Sequence, residues 1–281
     1  MRGYLIHDTL YMIHNPPNKL LGQHFLVSRD VLKKIIDAAD IAATEIVLEI
    51  GPGHGVLTRE LATRAKRVIA VEKDRLLADE LRKKLSTEKI SNVTIITGDV
   101  LKLTPRTLGL PKTFSVVANI PYYLTARLIR ILLERRAQPE KMILMVQKEV
   151  ADRILAKPPH MNLLALSVQV YGTPSIIAAV PPTAFSPRPE IDSAIIAIRN
   201  ISESLFKIHK IEPKYFFAVI RAAFQHKRKN IANALEKGSA ANKEKLYQAL
   251  AESGIDPKRR PETLSIDEWI TLAKRLAPVL P

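Results

Sequence analysis

The chain alternates between short, β-branched apolar runs and longer segments in which apolar residues recur every three or four positions. The first run, Glu45-Ile46-Val47-Leu48-Glu49-Ile50, ends in glycines and has the length and composition of a buried strand. Further runs of this kind fall at 67–71, 93–97, 114–118, 141–146, 166–171 and 194–198. Between them, 56–65, 74–85, 125–134 and 148–156 carry helical spacing, shown most simply by Leu57, Leu61 and Ala65. An earlier helix starts near Asp30, a candidate cap, with Val31, Ile35 and Ile36 apolar near helical spacing. Strands alternating with helices predict a parallel sheet covered on both faces. The strand pattern stops near Asn200. Beyond it, 213–235, 242–253 and 265–276 read as three helices, with 201–211 as the connection. The organisation expected is a tail over 1–19, an α/β domain over 20–200 and a small all-helical domain over 201–281.

Composition narrows the class. Apolar residues make up 47% of 281, which supports a sizeable core and excludes global disorder. There is no cysteine, so disulfides and thiolate metal sites are excluded, and no metal is expected. That usage fits a reducing cytoplasm. No apolar run approaches the roughly 18 residues of a membrane span. The first 15 residues are interrupted by His7, Asp8, His14 and Asn15 and lack a basic start, so they do not read as a signal peptide. Met12 is an alternative start.

The net charge of +15 favours a polyanionic partner, nucleic acid before anionic membrane; a solubility surface is the plainer alternative. Residues 201–281 carry 15 Lys/Arg against 9 Asp/Glu, a net of +6.

Three strand ends carry candidate chemistry. Glu49-Ile50-Gly51-Pro52-Gly53-His54-Gly55 follows the first sheet strand and opens a helix. Glycines there allow a tight turn and close approach of a ligand to the backbone. The spacing is G-x-G-x-G, not the G-x-G-x-x-G of dinucleotide binders. Glu72 ends the next strand, where a carboxylate accepts hydrogen bonds from ribose hydroxyls. Asp99, in Gly98-Asp99-Val100, ends the third and is placed to accept from an adenine amino group. Singly, each reads as well as a structural turn or a solvated carboxylate. Together they point to an adenosine-bearing cofactor, and the E-x-G-x-G form resembles the S-adenosylmethionine loop of class I methyltransferases.

Asn119-Ile120-Pro121-Tyr122-Tyr123 sits at the C-terminal end of a further strand, the edge at which open α/β sheets bind ligands. As a bare tetrapeptide, Asn119–Tyr122 also reads as a β-to-α turn with an Asn cap. It resembles the [N/D/S]-P-P-Y motif of methyltransferases acting on exocyclic amino groups. The N6 lone pair of adenine is delocalised into the ring. Acceptors for both N6 hydrogens, the Asn119 side-chain oxygen and the Ile120 carbonyl, help localise it. Pro121 sets the turn and Tyr122 offers a ring for an unstacked base. Phe185-Ser186-Pro187-Arg188-Pro189-Glu190-Ile191-Asp192-Ser193 is a proline-braced loop in which Phe185 is the candidate second wall.

In order and approximate spacing, these motifs and Gly22-Gln23-His24-Phe25-Leu26 resemble the rRNA adenine N6,N6-dimethyltransferase family. The segments 221–229 and 260–265 look like its small-subunit branch, the kasugamycin-resistance type. The likeness runs over about 20–276. It implies a class I, Rossmann-like methyltransferase sheet with a helical domain that binds rRNA. The implied activity takes methyl groups from S-adenosylmethionine to two adjacent adenosines in the 3′-terminal hairpin loop of small-subunit rRNA, giving N6,N6-dimethyladenosine during subunit biogenesis. The implied cofactor contacts are Gln23, His24, Leu26, Glu49, Gly51, Gly53, Glu72, Asp99, Val100 and Asn119, with Gln23 ordering an N-terminal lid. Asn119, Tyr122 and Phe185 hold the target base. The implied enzyme is cytoplasmic and monomeric, without a metal. His24 stands where many bacterial relatives carry Asn, Tyr123 has no assigned role, and 157–162 departs from the usual glycine-bearing segment. Two rivals are kept: a large-subunit rRNA methyltransferase conferring antibiotic resistance, and a mainly non-catalytic assembly factor.

Overall fold

A computed structural model of the chain describes residues 23–135, 137–226, 228–238 and 242–277. The expected tail over 1–19, the alternative start Met12 and the motif residues Leu20, Leu21 and Gly22 lie outside the described residues, as does Lys227. The chain forms two compact units. One takes the residues up to 151 together with 174–201; the other takes 152–173 with 202–281.

The first unit is built on a seven-stranded sheet of order β4-β3-β2-β5-β6-β9-β7. Its strands are β2 (Ile46–Ile50), β3 (Arg67–Glu72), β4 (Val93–Thr97), β5 (Ser115–Asn119), β6 (Lys141–Gln147), β7 (Thr173–Val180) and β9 (Ser193–Arg199). β4, β3, β2, β5 and β6 are parallel, so the expected parallel sheet is present. β9 departs from it, running antiparallel to β6 with Leu144 opposite Ile196. Two short strands, β1 (Phe25–Leu26) and β8 (Phe185–Ser186), pair antiparallel away from the main sheet. One core cluster combines Ile35, Val47, Leu61, Val68, Val117, Ile143 and Ile195, which ties the helices 29–39 and 56–62 to the sheet. The Ser28 hydroxyl, not Asp30, caps the first helix by accepting from Val31 N.

One reading of the strand pattern is corrected here. The run 166–171 is not a strand: it lies in and after the helix Leu163–Gln169, whose start is capped by Asn162 accepting from the amides of Leu164 and Ala165, both at 3.0 Å. Short apolar runs do not distinguish a buried helix from a buried strand, and the cap decides. The strand near there is instead β7, at the sheet edge, where Ile176 and Ile177 remain exposed and blur the burial signal.

The second unit is helical. Tyr171 joins it through a tilted contact with Phe206 and stacking with Phe217, at centroid distances of 5.3 and 6.1 Å, and through its carbonyl, which accepts from Ser202 N. That packing assigns 152–173 to this unit rather than to the α/β domain. The segment 157–162 belongs here too, with Met161 N donating to the Glu262 carbonyl.

The expected single helix over 213–235 is two, Pro213–Gln225 and Ile231–Gly238. The Asn230 side chain caps the second by accepting from Asn233 N at 2.9 Å. The two helices approach closely: a Cβ on Gly238 would lie 2.2 Å from the Ala222 carbonyl oxygen. Arg228 and Lys229 therefore sit on the exposed link between helices, not on helical positions. A capping box between Ser265 and Glu268 starts the last helix, Ile266–Leu276, and Arg259 pairs with Glu268. Among the described residues no helix is long and apolar enough to cross a membrane.

Candidate active site

Strand order reverses between β2 and β5. In an open parallel sheet the connections leaving two such strands diverge to opposite faces, and a cleft opens at their carboxyl ends. Gly51 leaves β2 and Asn119 ends β5, side by side. A Cβ on Gly51 would stand 3.6 Å from the Asn119 carbonyl oxygen. The backbone at Gly51 and Gly53 is left-handed, with φ of +69° and +53°, a conformation that favours glycine. A Cβ on Gly53 would also press on the Phe25 ring at 3.0 Å. At Gly51 and Gly53 the loop therefore presents backbone to the cleft, with Pro52 and His54 beside it.

Two carboxylates lie beneath it. Glu72 is buried and accepts from Gly53 N at 3.1 Å through one oxygen and from Asp74 N at 2.9 Å through the other. Burial raises its pKa; hydrogen bonds from the backbone of Asp74, Gly53 and Lys73 pull it back, and the Asp74 charge adds to the rise. Glu49 is 1% exposed and lines the cleft, and its Oε2 has no hydrogen-bond partner among the described residues. Burial pushes its pKa up to about 8; the Thr58 hydroxyl offsets part of this, and the nearby Glu72 charge raises it further. A buried carboxyl with an unanswered oxygen is a seat for a ligand's donor or cationic group.

The opposite wall comes from the end of β5. The Asn119 amide nitrogen donates to the His24 carbonyl at 3.3 Å, and Ile120 N donates to the Met145 carbonyl. Pro121, at φ −54°, leads into a short 3₁₀ turn, Tyr122–Leu124. The Tyr122 hydroxyl meets the fully buried Ser193 hydroxyl at 2.7 Å, and burial holds its pKa above the usual phenol value. The His24 ring stacks near Tyr122 at 5.7 Å between centroids, and its Nδ1 is 2.9 Å from the Pro187 carbonyl oxygen, to which it donates. Gln23 donates to Asp74 at 3.2 Å, fastening the residues before β1 to the rim.

The cleft thus brings together Gln23, His24, Leu26, Glu49, Gly51, Gly53, Glu72, Asn119 and Tyr122 from the sequence expectations. Three others lie elsewhere. Phe185 is 2% exposed and packs in the core cluster with Leu26 and Ile195, where β8 pairs with β1. Val100 is buried outside the cleft lining. Asp99 also lies outside that lining; its carboxylate accepts from Leu101 N and lies 4.0 Å from Lys73 Nζ. Ser193, Pro187, Asp74 and Lys73 were not anticipated. Ser193 closes the proline-braced motif, and Asp74 follows Glu72 by two positions, but no local pattern assigns either to this site.

A cleft of this construction, at the switch point of a largely parallel sheet, defines a class I S-adenosylmethionine-dependent methyltransferase. The chain belongs to the ribosomal RNA adenine dimethylase family, whose sequence model matches residues 14–278. It is similar to the ribosomal RNA small subunit methyltransferase A of Dehalococcoides mccartyi, with 46% identity over 264 residues covering 92% of this chain and 88% of that one. The protein of the same name from Moorella thermoacetica is 42% identical over 273 residues, covering 92% of each chain. Among solved structures, a dimethyladenosine transferase from Plasmodium falciparum superposes with a TM-score of 0.76 at 28% identity, covering 89% of this chain and 96% of that one. The 23S rRNA methyltransferase ErmE superposes at 0.69, also at 28% identity, covering 90% and 99%.

Proposed function

We propose that this protein transfers methyl groups from S-adenosylmethionine to N6 of two adjacent adenosines in the 3′-terminal hairpin loop of small-subunit rRNA, giving N6,N6-dimethyladenosine during subunit assembly. The observation that carries the chemistry is the Asn119 amide. Its nitrogen is engaged by the His24 carbonyl, which leaves its oxygen as an acceptor at the cleft. The identities of 46% and 42% to small-subunit methyltransferases favour that substrate over the large subunit, although ErmE shares the fold. We place the enzyme in the cytoplasm, acting as a monomer.

The residues present suit the cofactor. The glycine backbone admits a close ligand, Glu72 retains lone pairs for ribose hydroxyls, and Glu49 Oε2, which meets no described residue, can accept from a ligand donor. His24, Gln23 and Leu26 would close over it from the β1 side. Bound there, S-adenosylmethionine supplies a methyl group on a sulfonium, an activated electrophile.

The chain's own work is positional. The Asn119 oxygen and the Ile120 carbonyl accept the two N6 hydrogens and localise the lone pair toward the incoming methyl group. Tyr122, pinned by Ser193 and braced by His24, offers its other face to the base. The amine becomes acidic as it is methylated, so no strong base is needed. Rate comes from orientation and from exclusion of water. The basic helical unit would contact rRNA phosphates.

The test is methyl incorporation from labelled S-adenosylmethionine into undermethylated small subunits, with nucleoside analysis of the product. N6,N6-dimethyladenosine at two adjacent positions is expected. Its absence, or labelling of large-subunit rRNA alone, overturns the reading.

A further inference from the structure

Tyr122 and Tyr123 are consecutive residues on one 3₁₀ turn, yet their environments differ. Tyr122 is half-buried with its hydroxyl held by Ser193, whereas Tyr123 lies at the cleft rim and is 58% exposed. A large aromatic side chain left that open beside a cleft is a ready contact surface, since exposure of its ring to water is unfavourable. The Lys73 ammonium stands over the Tyr123 ring, 6.0 Å from its centroid. Lys73 follows the end of β3 and also lines the cleft. Its one described ion-pair partner, Asp99, is 4.0 Å away, and the lysine side chain is half exposed. An ion pair so long and so solvated holds the lysine weakly, so its charge is available to an incoming anion.

We infer that Tyr123 and Lys73 form a subsite for the nucleotide next to the target adenosine, the tyrosine stacking its base and the lysine pairing with its phosphate. This rests on the rRNA methyltransferase reading above. A base drawn out of its stack into the cleft brings its covalent neighbour to the rim, one step along the strand. The residue one step from Tyr122 along the turn is Tyr123. The pairing of an aromatic face with a cation is the arrangement by which single-stranded nucleic acid is held without reading base edges. A subsite that reads a π-face, not hydrogen-bond donors, also accepts a neighbour in any state of N6 methylation. That is what two successive modifications at adjacent adenosines require.

The test uses the full-length protein with undermethylated small subunits as substrate. Tyr123→Leu should raise KM for the subunits about tenfold, the size of one lost base–aromatic stack, with a smaller change in kcat. Tyr123→Phe, which keeps the ring, should behave as the wild type. Affinity for S-adenosylhomocysteine, measured by calorimetry, should not change in either. Lys73→Ala should lower the slope of log affinity against log salt by about one. An unchanged KM in Tyr123→Leu, or a Tyr123→Phe as impaired as Tyr123→Leu, overturns the stacking role. An unchanged salt slope in Lys73→Ala overturns the phosphate contact. Failure of the wild type to methylate these subunits would overturn the function and the subsite together. Normal transfer by the wild type with unaltered variants overturns the subsite alone.

Discussion

The side-chain amide of Asn119 donates to the main-chain carbonyl of His24 across 95 residues of sequence, at 3.3 Å. A carbonyl faces only the nitrogen end of an amide, so this contact sets the orientation of the Asn119 side chain. Replacing Asn119 by Ala should leave the fold and the rRNA affinity intact while transfer falls by about 10²–10³, the usual loss for one preorganised polar group. Asn119→Asp should fare little better, because it sets an anion against the His24 carbonyl. Single-turnover transfer with melting temperatures as the control checks both. Normal turnover in Asn119→Ala would remove the proposed chemistry.

Glu49 predicts a dependence of stability on pH. Its folded-state pKa is raised to about 8, so the folded protein keeps a proton that the unfolded chain has lost. Stability contributed by this group therefore falls as pH rises from its ordinary value of 4.5 to about 8. Glu72, also raised, adds a slope of the same sign. Glu49→Gln cannot ionise. It should match the wild type at low pH and exceed it above pH 8 by on the order of a few kcal/mol. Denaturant titrations of the ligand-free proteins at both ends measure this; parallel stability curves for the two would refute it.

The Tyr122–Ser193 contact separates ring from hydroxyl. Tyr122→Phe keeps the stacking face but leaves the buried Ser193 hydroxyl without this partner, which should cost about 1–3 kcal/mol of stability with transfer largely kept. Adding Ser193→Ala should recover part of that cost. Tyr122→Ala should abolish transfer far more than it weakens S-adenosylhomocysteine binding. A double-mutant cycle read by denaturation, with transfer assays alongside, decides whether the ring and hydroxyl have these separate roles.

Phe185 is a core residue, and its truncation should behave like one. Phe185→Ala should lose about 3–5 kcal/mol of stability, and Phe185→Leu should retain most transfer. A Phe185→Ala protein as stable as the wild type but unable to transfer methyl groups would restore the ring to the base site.

Much of this was legible along the chain because it is local. The short β-branched apolar runs marked β2 to β6, and the period-3.6 patterns the helices between them. The glycine loop, Glu72 and Asn119–Tyr122 were recognisable because close backbone approach, ribose binding and amino-group acceptors each demand particular residue types. What was misread shares a cause. The run 166–171 is apolar enough for a strand or a helix, and only the Asn162 cap decides. The long helix over 213–235 breaks because Asn230 caps a second one and Gly238 lets that helix turn back against Ala222. The burial of Phe185 was not legible, because it follows from the pairing of β8 with β1, 160 positions earlier in the chain.

The sequence by itself determined the alternation of elements, the candidate acceptors and the glycine turn that lets a ligand approach the backbone, since these depend on neighbours a few positions away. Tertiary structure alone decided that the Asn119 amide nitrogen meets the His24 carbonyl, that burial raises the pKa of Glu49, that Ser193 meets the Tyr122 hydroxyl and that Tyr123 stays exposed beside Lys73. Each of these depends on burial or on a partner far along the chain, quantities that arise only when the strands assemble in the order β4-β3-β2-β5-β6-β9-β7 and set distant side chains against one another.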